Sequence, residues 1–83
     1  VVRTVALRNA MGLHARPAAV LARAMAGFDA QVEVDGADGA SVLALMALGA
    51  TQGRELQVRA TGPQAREAVD AAVAMVEDGF GEL

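Results

Sequence analysis

Apolar and polar residues alternate at three places along the chain, and apolar residues recur at helical spacing at three others. In "RTVALRN", Val5 and Leu7 share one face while Thr4 and Arg8 take the other, the pattern of a half-buried strand. Alternation returns in "QVEVDG", with Val32 and Val34 inward and Asp35-Gly36 as a turn. It returns again in "ELQVRA", with Leu56, Val58 and Ala60 inward. Between the first two strands, the residues Leu21, Met25 and Phe28 follow Ala18 along one helical stripe. Arg23 lies on the far side and Gly27 closes the element. "SVLALMALG" predicts a short helix, opened by Ser41 as N-cap and closed by Gly49. The longest helix lies in "TGPQAREAVDAAVAMVEDG", entered through Thr61-Gly62-Pro63. Its apolar stripe is Ala65, Ala68, Val69, Ala72, Val73 and Val76. Glu77 and Asp78 in its last turn oppose the helix dipole. "ADGA" makes a poor strand, so any strand there is short and at an edge.

The resulting order, β-α-β-(β)-α-β-α, has strands with one apolar face each, which predicts a sheet covered on one side only. The helices then pack together on that side as an α+β two-layer sandwich. The 83 residues make one small domain, spanning 1–83. A domain of this size buries roughly 60% of its unfolded surface. Hydrophobic residues are 54% of the chain, but much of that is alanine, so the core must be thin and closely packed.

A net charge of −3 gives no attraction to nucleic acid. With no Trp or Tyr and only Phe28 and Phe80, base-stacking platforms are missing too. The absence of cysteine excludes thiol catalysis, disulfides and thiolate metal sites, and agrees with a cytoplasmic location, taken as the default. One histidine among scattered carboxylates shows no metal-ligand spacing, so neither metal nor other cofactor is expected. "ASVLALMALGA", the most apolar run, is far short of the ~20 residues of a membrane span, and no signal peptide is visible.

That histidine lies in "GLHARPAA", residues 12–19. Gly12 suits a strained turn and Pro17 suits the first turn of a helix, so His14 falls at or near an N-cap. Free backbone N–H groups and the positive end of a helix dipole make such a position a place for an anion. A neutral imidazole is a nucleophile near pH 7 and can hold a phosphoryl group as a labile P–N adduct. The N–H groups of Ala15 and Arg16 are placed for phosphate oxygens, and the Arg16 fork can pair them bidentately. An ordinary cap or surface histidine fits the same spacing. No neighbour in the chain is an obvious general base, so a triad-type hydrolase finds no support. No nucleotide-binding glycine spacing occurs either.

"GLHARPAAVLARAMAGFDAQVEV" resembles the phosphorylation site of HPr, the histidine-containing phosphocarrier of the bacterial sugar phosphotransferase system, and matches its site motif at every position. "SVLALMALGATQGREL" resembles a second block of the family and "VEDGFGEL" its C-terminus, so the likeness covers essentially the whole chain. The resemblance implies an open-faced β-sandwich, a four-stranded antiparallel sheet with three helices on one face. It implies that His14 accepts phosphate on Nδ1 from phospho-Enzyme I and passes it to the IIA domain of a sugar permease, with Arg16 steadying it. The protein would then be a monomeric carrier rather than an enzyme. Ser41 falls at the serine that a dedicated HPr serine kinase/phosphorylase modifies in some bacteria, although Ala40 replaces the commonly basic residue before it. The segment between Val34 and Ser41 is several residues shorter than is usual, which puts the third strand in question.

A nitrogen-related branch of the same system, a carrier domain cut from a larger fused protein, and a regulatory HPr-like interaction domain are the alternatives. For partner docking, Leu45, Met46 and Leu48 are expected inward on the short helix, leaving Val42 and Leu43 exposed. Arg16 and Arg23 would form a basic rim suited to acidic partner surfaces.

Overall fold

The computed structural model describes residues 1–82, so Leu83, last residue of the C-terminal resemblance, lies outside the described residues. The elements run β1 (Val2–Ala6), α1 (Ala15–Ala26), β2 (Gln31–Val34), β3 (Ala37–Asp38), α2 (Val42–Ala47), β4 (Glu55–Thr61) and α3 (Ala65–Glu77). A 3-10 turn, Gly79–Gly81, follows. The strands form one sheet in the order β1-β4-β2-β3, antiparallel throughout. This is the open four-stranded sheet with three helices that the resemblance implied.

The register sets the inner face. Val5 stands opposite Leu56, Val34 opposite Val58 and Val32 opposite Ala60, and all six are buried. On β4 the alternate residues Glu55, Gln57, Arg59 and Thr61 face water. A one-residue slip would exchange these two sets, so the apolar alternation itself fixes the pairing. The expected stripe of α3, from Ala65 to Val76, is buried in full and lies over β1 and β4. Ala68 and Ala72 are fully buried there, which lets the helix approach the sheet closely. The larger core residues, among them Leu7, Leu21, Met25, Leu45 and Leu56, contribute roughly 1.5–3 kcal/mol each when fully buried.

The third strand exists and is short, two residues at the sheet edge, joined to β2 through the Asp35-Gly36 turn. Asp35 braces that turn. Its carboxylate accepts from the Gln57 N–H at 2.8 Å and from Arg54 Nη2 at 2.9 Å. Arg54 Nη1 in turn donates to the Leu48 carbonyl at 2.8 Å, at the C-terminal end of α2.

Two expectations for α2 need correction. Met46 is 40% exposed rather than inward, and Val42 is half-buried against the core rather than exposed. The helix has only six residues, so one narrow stripe can face the core. That stripe is Val42 and the fully buried Leu45, continued three residues on by the C-cap Leu48. Leu43 and Met46, also three apart, then share the outer side. Leu43 is 80% exposed, as expected.

Candidate functional site

The loop from β1 to α1 carries the site, and its path is fixed by backbone contacts with the segment between α2 and β4. Leu7 N–H donates to the Arg54 carbonyl at 2.9 Å, and Gly53 N–H to the Leu7 carbonyl at 2.8 Å. Farther on, Leu13 N–H donates to the Ala50 carbonyl at 3.0 Å while its side chain enters the core. Between these anchors the chain turns back at Asn9, where Gly12 N–H meets the Asn9 carbonyl at 3.1 Å. Asn9 is fully buried and its Nδ2 donates to the Gly12 carbonyl at 2.7 Å.

His14 is the N-cap of α1, in extended backbone geometry, and its side chain makes no capping bond. The imidazole is thus free for other work. Its carbonyl accepts from Ala18 N–H at 3.0 Å, which continues the helix past Pro17. The N–H groups of Ala15 and Arg16 have no partner among the described residues. They are the unpaired donors expected of a helix start. Arg16 is exposed and forms no ion pair among the described residues. Arg23 lies seven positions on, hence on nearly the same face but roughly 10 Å along the axis, with half-exposed Val20 between them.

The chain's C-terminal end completes the site. Glu82 places both carboxylate oxygens 3.2 Å from His14 Nε2, across 68 residues of sequence. The side chains are 33% and 23% exposed. Asn9 Nδ2 also donates to Glu82 Oε1, at 2.9 Å. The Asn9 hydrogen bond first, then that from His14, holds the Glu82 carboxyl below the usual carboxylate range, with Arg16 adding at longer reach. A carboxylate with a depressed pKa stabilises the fold above its ordinary range and loses that contribution as pH falls through the lowered value. The Glu82 tie therefore holds at neutral pH and is released on acidification.

An ionised carboxylate can only accept hydrogen bonds, so the contact requires a proton on Nε2. The neutral ring then carries its lone pair on Nδ1. Sequence reasoning looked only at chain neighbours of the histidine and did not foresee Glu82, 68 residues away. Asn9 was missed as well. Asn9 and Gly12 lie at turn spacing just before His14, a local signal that sequence reasoning could have used. Glu82 has no such signal, because only the folded chain brings it near. It arrives through Gly79, Phe80 and Gly81, whose φ values of 63°, 56° and 75° are all left-handed. Phe80 holds this geometry, unfavourable for its type, while packing against the core.

Ser41 caps α2, its Oγ accepting from Ala44 N–H at 3.2 Å. Ser41→Ala is expected to cost ~1 kcal/mol, read as a lower denaturation midpoint with unchanged slope. No group of three metal-ligating side chains occurs among the described residues, and no helix is long and apolar enough to cross a membrane. A concavity of about 340 Å³ lies at the far end of α1, lined by Met25, Phe28, Val32 and Asp38 among others and by none of the residues above.

The same arrangement of chain is found in known proteins. A family model described as the PTS HPr component phosphorylation site matches residues 1–78. Phosphocarrier protein NPr of Escherichia coli K12 is 45% identical, over 96% of this chain and 94% of its own length. Phosphocarrier protein HPr of Pseudomonas putida is 35% identical over the same shares. The crystal structure of HPr-C-His from Thermoanaerobacter tengcongensis superposes with a TM-score of 0.93 at 34% identity, covering 100% of this chain and 98% of that one.

Proposed function

The chain belongs to the PTS HPr family of phosphocarriers, and from that premise we propose that His14 Nδ1 accepts a phosphoryl group from phospho-Enzyme I and yields it to a IIA domain. The observation that carries this reading is the Nε2 contact with Glu82, which leaves Nδ1 as the nucleophilic nitrogen at a helix start. Transfer makes few covalent demands on the protein, since positioning and charge stabilisation supply most of the catalysis. The lone pair on Nδ1 attacks phosphorus, a P–N bond forms, and the donor's leaving atom keeps its electron pair. The unpartnered N–H groups of Ala15 and Arg16 receive the phosphate oxygens, and the Arg16 guanidinium pairs them from the side. The protein works as a cytoplasmic, monomeric carrier that is itself consumed and regenerated at each transfer. Incubation with phosphoenolpyruvate, Mg²⁺ and Enzyme I tests this. One acid-labile, base-stable phosphate on Nδ1 is expected, and phosphate on Nε2 or on a hydroxyl would overturn the assignment.

A nitrogen-related role is the second reading, favoured by the name NPr on the 45% identical relative. Parallel assays with Enzyme I of the sugar branch and its nitrogen-related counterpart separate the two by rate.

Docking falls to exposed apolar residues, and Leu43 leads them at 80% exposure. Met46 and Val20 join it, Val42 leaves the set, and Arg16 and Arg23 supply the basic rim. Leu43→Ser is expected to slow phosphate uptake from Enzyme I several-fold while leaving the melting temperature within a few degrees of wild type. A core residue cut back so far would lose about 2 kcal/mol or more.

Modification of Ser41 would place negative charge at the start of α2, where the helix tolerates it. Ser41→Asp keeps an N-capping side chain, so its stability is expected to hold while transfer from Enzyme I slows. Wild-type transfer rates in that variant would remove the inhibitory role.

A further inference from the structure

We propose that Glu82, steadied by Asn9, holds the Nε2 proton of His14 throughout the phosphorylation cycle, so that phosphate joins and leaves Nδ1 with no proton exchanged with solvent. This rests on the carrier reading above and adds to it a positioning role for two residues. Asn9 Nδ2 faces two acceptors, the Gly12 carbonyl at 2.7 Å and Glu82 Oε1 at 2.9 Å. Both contacts need an NH₂ group, which fixes the orientation of the amide. Since Asn9 is fully buried, the carboxylate is tethered to a rigid point of the loop and not merely to the ring. The other oxygen stays within 3.2 Å of Nε2.

The consequence lies in the leaving group. After Nδ1 attacks phosphorus, the ring carries phosphate on Nδ1 and its original proton on Nε2, and is an N-phosphoryl imidazolium. On delivery the P–Nδ1 bond breaks and its electron pair returns to Nδ1. The departing group is neutral imidazole. Had Nε2 lost its proton in between, the departing group would be an imidazolate, a far poorer one. Among the described residues the charged group in contact with the ring is Glu82, from the C-terminal segment, while Asn9 from the loop is neutral and Arg16 of α1 is exposed. The negative charge of Glu82 favours a cationic ring, beside that of the attached phosphoryl group itself.

Glu82→Gln tests the idea, because it keeps the shape and one acceptor oxygen but removes the charge. In the phosphorylated protein, delivery to a IIA domain is measured from pH 6 to pH 9. The variant is expected to match wild type within about twofold at the acidic end and to fall about tenfold behind at the alkaline end, since an opposite charge shifts such an equilibrium by about one pH unit or more. A parallel arm uses unphosphorylated protein with ¹⁵N-labelled histidine. Wild type is expected to show mainly the Nε2–H tautomer, and Glu82→Gln or Asn9→Ala a weaker preference. Parallel rate profiles or an unchanged tautomer ratio would overturn the proposal. Failure of the wild-type protein to take phosphate would instead strike the carrier reading, with the tautomer arm still deciding the role of Glu82.

Discussion

His14→Ala takes up no phosphate from Enzyme I and phosphoenolpyruvate, while its melting temperature stays within a few degrees of wild type. The loss is complete because no other imidazole exists in the chain to receive the group. The fold survives because His14 contributes its backbone to the helix start, not its side chain: the carbonyl bond to Ala18 N–H remains and there is no side-chain cap to lose. The Glu82 contact disappears, but exposed ion pairs add little to stability. Arg16→Ala gives the contrasting result. Transfer slows without stopping, because the Ala15 and Arg16 N–H groups belong to the backbone and outlast the side chain. Radiolabelled phosphate on the two variants, read beside their thermal melts, checks both outcomes. Undiminished labelling of His14→Ala would end the assignment.

The stripes that build the core were legible because each uses the short repeat of one element. Val32 and Val34, Leu56, Val58 and Ala60, and the six-residue α3 stripe from Ala65 to Val76 are all buried as their spacing required. At α2 the same reasoning failed, since all six residues are apolar and no polar position marks the side that faces water. Leu43, Met46 and Val42 are equally apolar in type, and only packing against α1 and β3 distinguishes them. The site divides along the same line. Its nucleophile, anion-binding turn and arginine lie within residues 12–17, so their arrangement follows from local geometry. Glu82 depends on a C-terminal turn through Phe80 in a conformation its residue type disfavours, and nothing near His14 announces it. Long-range tertiary closure hides such a partner from any periodicity.

Gly12→Ala is the second large effect, and it strikes the fold and the site together. Gly12 has φ +67°, a conformation that alone costs an alanine roughly 1–2 kcal/mol. A Cβ there would also lie 2.3 Å from the Ala50 carbonyl oxygen and 3.0 Å from Thr51 Cα. Both are backbone atoms, so no side-chain rotation relieves the clash. The Ala50 carbonyl is the acceptor for Leu13 N–H, and the Gly12 carbonyl accepts from Asn9. Moving the loop outward therefore weakens both hydrogen bonds and draws buried Leu13 from the core. A total loss of about 3 kcal/mol or more is expected, combining backbone strain with disrupted packing. For a chain of this length that lowers the melting temperature by roughly 12 °C or more. Gly49→Ala serves as the control. Its φ is +60°, but no atom lies within 4 Å of the added Cβ, so only the strain remains. If the two variants melt together, the contact with Ala50 does not hold the loop. If Gly12→Ala melts lower and also accepts phosphate more slowly well below its melting point, the seat of Gly12 on the α2–β4 connection is what aims His14.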